Sequence, residues 1–180
     1  MNHIYHLPNF GEDWFTFPNL YSRLVRETPD GGTIVEVGVW KGKSLSYLGV
    51  EVVNSGKKIN VHGIDMWTAG LHGGDNVHDN VVYNIAMNNL RPLEGVVQTF
   101  RMSSLEGPRL YQDESLDVVF IDACHTYDCV KADIAAWLPK VKRGGYLAGH
   151  DYNQDDVSRA VNEALTDIES TEVCWVYRKP

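Results

Sequence analysis

The sequence predicts an α/β domain: a doubly wound, mostly parallel sheet with helices on both faces, a three-layer sandwich. Three observations carry that reading. Short apolar runs recur without polar alternation, as expected of parallel strands buried on both faces. A helical pattern follows most of them, so consecutive strands are joined by right-handed crossovers. Polar, glycine-containing turns follow the runs, at the carboxyl ends of strands, where such sheets place their ligands.

In chain order, residues 1–20 are aromatic and irregular, with Tyr5, Phe10, Trp14, Phe15 and Phe17, and a helical pattern covers 18–27. Residues 33–37 form a buried strand and 43–54 a helix. Residues 60–64 form the next strand, and the helix over 77–90 ends before Arg91-Pro92, where proline disfavours its continuation. A strand at 96–100 leads to a short helix at 105–111. The most apolar strand is 116–121, and its helix, 127–137, is stopped by Pro139. After Gly144-Gly145 come a strand at 146–148, a helix at 157–168 and one last strand at 172–177. Residues 1–30 are thus an N-terminal aromatic and helical segment packed on a ligand-binding domain of residues 31–180.

At 180 residues the chain fits one domain with a substantial core. Its net charge of −8, from 16 basic and 24 acidic residues, offers no basic footprint for nucleic acid. No apolar run approaches the ~18 residues a membrane span needs. The N-terminus lacks a basic stretch followed by an apolar one, and three cysteines without zinc-type spacing fit a reducing compartment, so the expected location is cytoplasmic. Cys124 and Cys129 read as small buried hydrophobes.

Candidate site residues follow the strands. Ile34-Val35-Glu36-Val37-Gly38-Val39-Trp40-Lys41 runs into Gly42-Lys43-Ser44, a strand turning sharply into a helix whose first N–H groups are free for a ligand. The spacing Glu-x-Gly-x-x-x-Gly lacks the G-x-G-x-x-G fingerprint of nicotinamide dinucleotide sites. The second strand ends in Asp65-Met66-Trp67, an acid able to accept from both ribose hydroxyls beside apolar groups able to cover an adenine; capping the next segment is the competing role for Asp65. After the third strand, Ser103 or Ser104 either contacts a base or caps a helix, with Glu106 near a capping-box position. The fourth strand delivers Asp122 and, three residues on, His125, a residue type suited to general base work near neutral pH. The fifth delivers His150 and Asp151. Asp122, His150 and Asp151 would converge as ligands of a divalent ion, histidine fitting Mn²⁺, Fe²⁺ or Zn²⁺ better than Mg²⁺; hydrogen bonds to neighbouring loops are the alternative.

Together these segments resemble the class I S-adenosylmethionine-dependent methyltransferases, a Rossmann-like fold, and within them the small branch related to sugar and macrolide O-methyltransferases. The resemblance rests on residues 35–44, on Gly63-Ile64-Asp65, on 119–127 and on 144–152, and extends from about Asn9 to the C-terminus. It implies that Glu36, Gly38 and Gly42 shape the methionine end of an S-adenosylmethionine site, with Trp40 and Ser44 also binding the cofactor. Asp65 would then lie on the ribose, with Met66 and Trp67 next to it at the cofactor, Ser103 and Ser104 near the adenine and Asp122 bordering the cofactor. In metal-dependent relatives, an aspartate placed like Asp122 and an acidic pair placed like His150-Asp151 hold Mg²⁺, so Mg²⁺ or Mn²⁺ is the implied ion. A histidine placed like His125 takes the acceptor's proton in some of them.

The sequence departs from the family at Trp40, where glycine is common, at His150, which replaces an acid, and at the C-terminus, where one strand stands for a usual hairpin. The implied acceptor is a small hydroxylated molecule, a sugar among the candidates. No Asn/Asp-Pro-Pro-aromatic segment of base-amine methylation occurs after the fourth strand. The competing readings are a nicotinamide-dependent oxidoreductase and a non-catalytic nucleoside-binding module. The Gly-rich stretch 67–80 is expected to act as a lid, and Trp14, Phe15 and Phe17 to pack on the sheet rather than stack on substrate. The sheet edge and the aromatic N-terminus point to a homodimer.

Overall fold

The computed structural model describes residues 1–11, 14–68, 79–171 and 173–180. Seven strands form one sheet: β1 (Thr33–Val37), β2 (Asn60–Asp65), β3 (Val97–Arg101), β4 (Leu116–Ile121), β5 (Val141–Gly149), β6 (Glu169–Ser170) and β7 (Trp175–Arg178). Their order is β3-β2-β1-β4-β5-β7-β6. The first five pair in parallel, whereas β7 runs antiparallel to β5 and β6 antiparallel to β7. Among the described residues, five α-helices cover the sheet: α1 (Pro18–Glu27), α2 (Lys43–Ser55), α3 (Asp79–Leu90), α4 (Tyr127–Trp137) and α5 (Asp155–Ala164). The strand order reverses between β1 and β4, which opens the ligand crevice beyond their carboxyl ends.

β4 shows why the apolar runs become strands here. All six of its residues are buried. Val118 and Phe120 point into the core layer beneath α1 and α2, while Leu116, Val119 and Ile121 point into the layer beneath α4 and α5. The N-terminal aromatics belong to the first layer. Phe17 stacks on Phe120 at 4.8 Å between ring centroids, and Tyr21 meets the same ring edge-on at 4.9 Å. The segment before α1 is therefore part of the domain's core and a wall of its crevice.

Several element boundaries differ from those predicted. The helix expected at 105–111 is a single 3₁₀ turn, Gly107–Leu110. The helix expected over 157–168 starts at Asp155, where Asp155 and Asp156 favour the positive end of the helix, and ends at Ala164. The strand expected at 146–148 extends back to Val141 through Gly144, whose φ of +77° few other residues adopt. The single last strand is a hairpin, closed where the Thr171 N–H donates to the Cys174 carbonyl at 2.8 Å. Its outer strand is only two residues long, too short to show a period of two. Most of the expected lid, residues 69–78, and the expected start of α3 at 77 lie outside the described residues.

Candidate active site

The site begins with a backbone contact between two turns. The Asp122 N–H donates to the Val37 carbonyl at 2.7 Å, and the Gly38 N–H to the Ile64 carbonyl at 2.8 Å. Gly38 has φ +96°, and a Cβ there would lie 1.9 Å from the Asp122 carbonyl oxygen. Only glycine lets the turn after β1 pass so close to the turn after β4. Gly42, at φ +83°, then opens α2.

Glu36, inside the β1 end, is fully buried. Its carboxylate accepts from the Tyr21 hydroxyl at 2.6 Å and from Ser44 Oγ at 2.9 Å. Burial raises its pKa to about 8, the two hydrogen bonds only partly opposing. Tyr21 was not among the residues singled out in the sequence. Its only local signal is membership of the buried stripe of α1 with Leu24 and Val25.

Asp65, at the end of β2, braces the first turn. Its Oδ2 accepts from the Val39 and Trp40 N–H groups at 2.8 and 2.9 Å, and its Oδ1 from the Trp67 N–H at 2.7 Å. The indole of Trp67, itself buried, donates to the Trp40 carbonyl at 2.8 Å. Trp40 has φ +50°, a conformation that costs a non-glycine residue about 1–2 kcal/mol. These bonds hold it there.

The residues after β3 sit elsewhere. Ser103 and Glu106 form a reciprocal capping box, with Ser103 Oγ donating to Glu106 Oε2 at 2.8 Å and the Glu106 N–H donating to Ser103 Oγ at 3.2 Å. The Ser104 carbonyl accepts from the Trp137 indole at 3.0 Å, and the Met66 carbonyl from Arg101 Nε at 3.3 Å. Burial raises the pKa of Asp133 on α4 to about 6, against a hydrogen bond with Ser104.

A cavity of about 320 Å³ lies over the crevice. Gly38, Trp40, Ser44, Asp122, His125, His150 and Asp151 line it, as do Phe10, Trp14, Phe15, Thr16 and Phe17 from the N-terminal segment. Glu36, Gly42, Asp65, Met66, Trp67, Ser103 and Ser104 do not reach its wall. At its polar end His125 Nε2 lies 2.9 Å from Asp151 Oδ2 and 3.8 Å from Asp122 Oδ1. His150 Nδ1 lies 3.4 and 3.5 Å from those same two oxygens, and its Nε2 is 3.3 Å from the Thr16 hydroxyl. The interaction with Asp122, then the hydrogen bond to Asp151, raises His125 to about 10 against burial. Burial lowers the pKa of His150, but both carboxylates outweigh it and bring the group to about 9. Burial likewise opposes the charged form of Asp151, yet the two imidazoles carry its pKa well below the usual carboxylate range.

Among the described residues, Asp122, His125 and Asp151 offer metal-ligating atoms that all lie within 4.8 Å of one another. The predicted set had His150 in place of His125. In the structure His150 flanks the group from the Phe17 side, its ring centroid 4.7 Å from that of Phe17. Two carboxylates and an imidazole suit a divalent ion, and Mn²⁺, Fe²⁺ or Zn²⁺ better than Mg²⁺.

Comparison with known proteins agrees with this architecture. A family model described as a methyltransferase domain matches residues 35–152, from β1 through the turn after β5. An uncharacterized protein of Acanthamoeba polyphaga mimivirus is 32% identical over 151 residues, 78% of this chain and 62% of that protein. The chain thus spans about three fifths of that relative's length. Among solved structures, a Clostridium thermocellum protein assigned as an rRNA methylase superimposes with a TM-score of 0.67 at 12% identity, covering 90% of this chain and 96% of the other. CalS11, a TDP-rhamnose 3'-O-methyltransferase of calicheamicin biosynthesis, does so with a TM-score of 0.62 at 15% identity, covering 89% and 77%. At such identities the likeness speaks to the fold alone.

Proposed function

The chain belongs to this methyltransferase-domain family, and on that premise we propose that it transfers the methyl group of S-adenosylmethionine to a hydroxyl of a small acceptor. One observation carries the reading: the first turn and the Asp122–His125–Asp151 group face the same cavity, joined through the Gly38–Asp122 contact. The methionine end of the cofactor would lie along Gly38, Trp40 and Ser44, and the acceptor hydroxyl at Asp122, His125 and Asp151. Asp65, bonded to three backbone amides, would meet the ribose through its remaining lone pairs, with Met66 and Trp67 beside it and the Ser103–Ser104 turn near the adenine.

Methyl transfer from a sulfonium is an in-line displacement. The acceptor oxygen forms the new bond to carbon, the carbon–sulfur bond breaks, and S-adenosylhomocysteine leaves. The protein's task is to align the two reactants and remove the hydroxyl proton. His125 is the proposed base. In the resting chain its ring is held protonated between two carboxylates, so it serves as base once it has passed that proton to solvent and the acceptor has entered beside Asp151. Asp122, His150 and Asp151 would hold a divalent ion, which when bound would polarise the acceptor oxygen and leave His125 to act as the base.

The acidic chain, −8 overall, favours a small acceptor over nucleic acid. A sugar stays within the class of hydroxylated acceptors. No helix among the described residues is long and apolar enough to cross a membrane. The test is calorimetric titration of metal-stripped protein with S-adenosylmethionine, repeated with Mn²⁺. Micromolar binding is expected, and a His125→Ala variant that binds cofactor normally but turns over at least 100-fold more slowly. No binding in either condition sinks the reading, and unchanged turnover in the variant removes the base.

A further inference from the structure

Of the three cysteines in the chain, Cys174 is core: it is 1% exposed and packs in the layer beneath α1 and α2. The sequence suggests the same for Cys124 and Cys129, but the structure leaves both half-buried, within reach of reagents in solution.

Local geometry brings this pair together. Thr126 is the N-cap of α4, with ψ 149°, so the chain enters the helix from an extended segment. Cys129 is the third residue of α4, and Cys124 lies two residues before the cap. Side chains on a helix lean toward its N-terminus, so the Cys129 thiol reaches back over the first turn. There it donates to the Cys124 sulfur. Both sulfurs gather at the Thr126 hydroxyl, which lies 3.4 Å from Cys124 Sγ. Ala123 and His125 line the cavity, whereas Cys124 between them does not. The sulfur pair is therefore distinct from the Asp122, His125 and Asp151 group, though it brackets His125 in the chain. A thiol that only packs is sealed from solvent, as Cys174 is; these two meet each other at an accessible helix start.

We propose that Cys124 and Cys129 form a reversible redox site, joined as a disulfide by hydrogen peroxide, that staples the turn carrying His125 to the first turn of α4. The proposal stands apart from the methyltransferase reading. Cys124, which accepts the hydrogen bond of the pair, attacks peroxide as its thiolate. The O–O bond breaks, hydroxide leaves and a sulfenic acid remains. Cys129 then attacks that sulfur, the S–S bond forms and the sulfenic oxygen leaves as water. The two thiols are oxidised, the peroxide is reduced to two waters that take up both thiol protons, and exchange with a dithiol restores the pair. The bond closes a short loop, so its effect falls on the segment that holds His125.

The experiment treats the full, reduced chain with millimolar hydrogen peroxide, alkylates the remaining thiols and maps tryptic peptides without reductant. No lysine or arginine lies between Leu110 and Val130, so the peptide 110–131 carries both cysteines and Cys174 falls in another. The expected result is a peptide 110–131 that lacks both thiol hydrogens and escapes alkylation, with Cys174 alkylated and dithiothreitol reversing the change. In Cys129→Ser, dimedone is expected to trap Cys124 as its sulfenic acid. The Val130 N–H closes the first turn of α4 on the Thr126 carbonyl at 3.0 Å. Its hydrogen exchange is expected to slow about threefold or more in the oxidised chain. Alkylation of both cysteines after peroxide, or disulfides that link separate chains, overturn the site. Absence of the dimedone adduct overturns the order of attack, and Val130 exchange that is unchanged or faster overturns the staple.

Discussion

Replacing Glu36 with glutamine tests how the buried carboxylate couples to stability. Unfolded, the carboxyl ionises near its ordinary value of 4.5; folded, burial raises it to about 8. Between those values the native chain holds a proton that the unfolded chain has lost. By linkage, stability from this group is fully present below pH 4.5, falls as pH rises, and is lost once the pH passes about 8. The full gap corresponds to a ceiling of roughly 5 kcal/mol, at up to about 1.4 kcal/mol per pH step. Glutamine keeps the shape and an oxygen that can accept from Tyr21, while its NH₂ faces Ser44 Oγ, which can turn to accept. The variant loses the ionisation and keeps most of the packing. Urea unfolding of both proteins at pH 5.5, 7 and 8.5 is the assay, because carboxylates elsewhere cancel in the difference. Glu36→Gln is expected to gain about 2–3 kcal/mol on the parent between pH 5.5 and 8.5, a discount from the ceiling for relaxation around the site. A difference that stays constant across that range, within about 0.5 kcal/mol, refutes the argument.

Gly38→Ala is expected to destabilise by about 3 kcal/mol or more and to abolish cofactor binding, since both φ +96° and the 1.9 Å approach to the Asp122 carbonyl oppose a Cβ. Thermal melting with cofactor calorimetry measures both effects, and a melting temperature within 2 °C of the parent would contradict the geometry. Trp67→Phe keeps a buried ring but removes the donor to the Trp40 carbonyl, so a loss of about 1–2 kcal/mol and weaker cofactor binding are expected. Chemical denaturation reads the first effect and calorimetry the second; no change in either would show that the brace is dispensable.

The parallel half of the sheet was legible because double-sided burial leaves an unbroken apolar run, as in the fully buried β4. The turns after β1, β4 and β5 were legible as a group because a doubly wound sheet brings their ends together, and the cavity does gather Gly38, Trp40, Ser44, Asp122, His125, His150 and Asp151. What stayed hidden depends on register and direction rather than local pattern. Two residues of β6 carry no periodicity. Tyr21 meets Glu36 because α1 crosses the end of β1, a fact that neither segment encodes alone. Asp65 offered two roles, ribose ligand and local cap, and its bonds to Val39, Trp40 and Trp67 add a third, bracing the first turn. Ser103 was equally balanced between base contact and cap, and the capping box with Glu106 is formed. The pairing of His125 with Asp151 joins the turns after β4 and β5, and Asp151 there has a φ of +58° that its sequence does not announce.

The contact between Gly38 and the Asp122 backbone also bears on how such a chain can diversify. Main-chain atoms fix the spacing between the turn after β1 and the turn after β4, and substitutions elsewhere on the wall leave that spacing alone. The N-terminal segment, which supplies Trp14 and Thr16 to the cavity, comes from outside the sheet. Its Phe10, Phe15 and Phe17 are held in the core, so variation there falls on the exposed Trp14 while the separation of the two turns stays constant. A change at that one side chain alters the cavity wall without moving the backbone that sets the two turns apart.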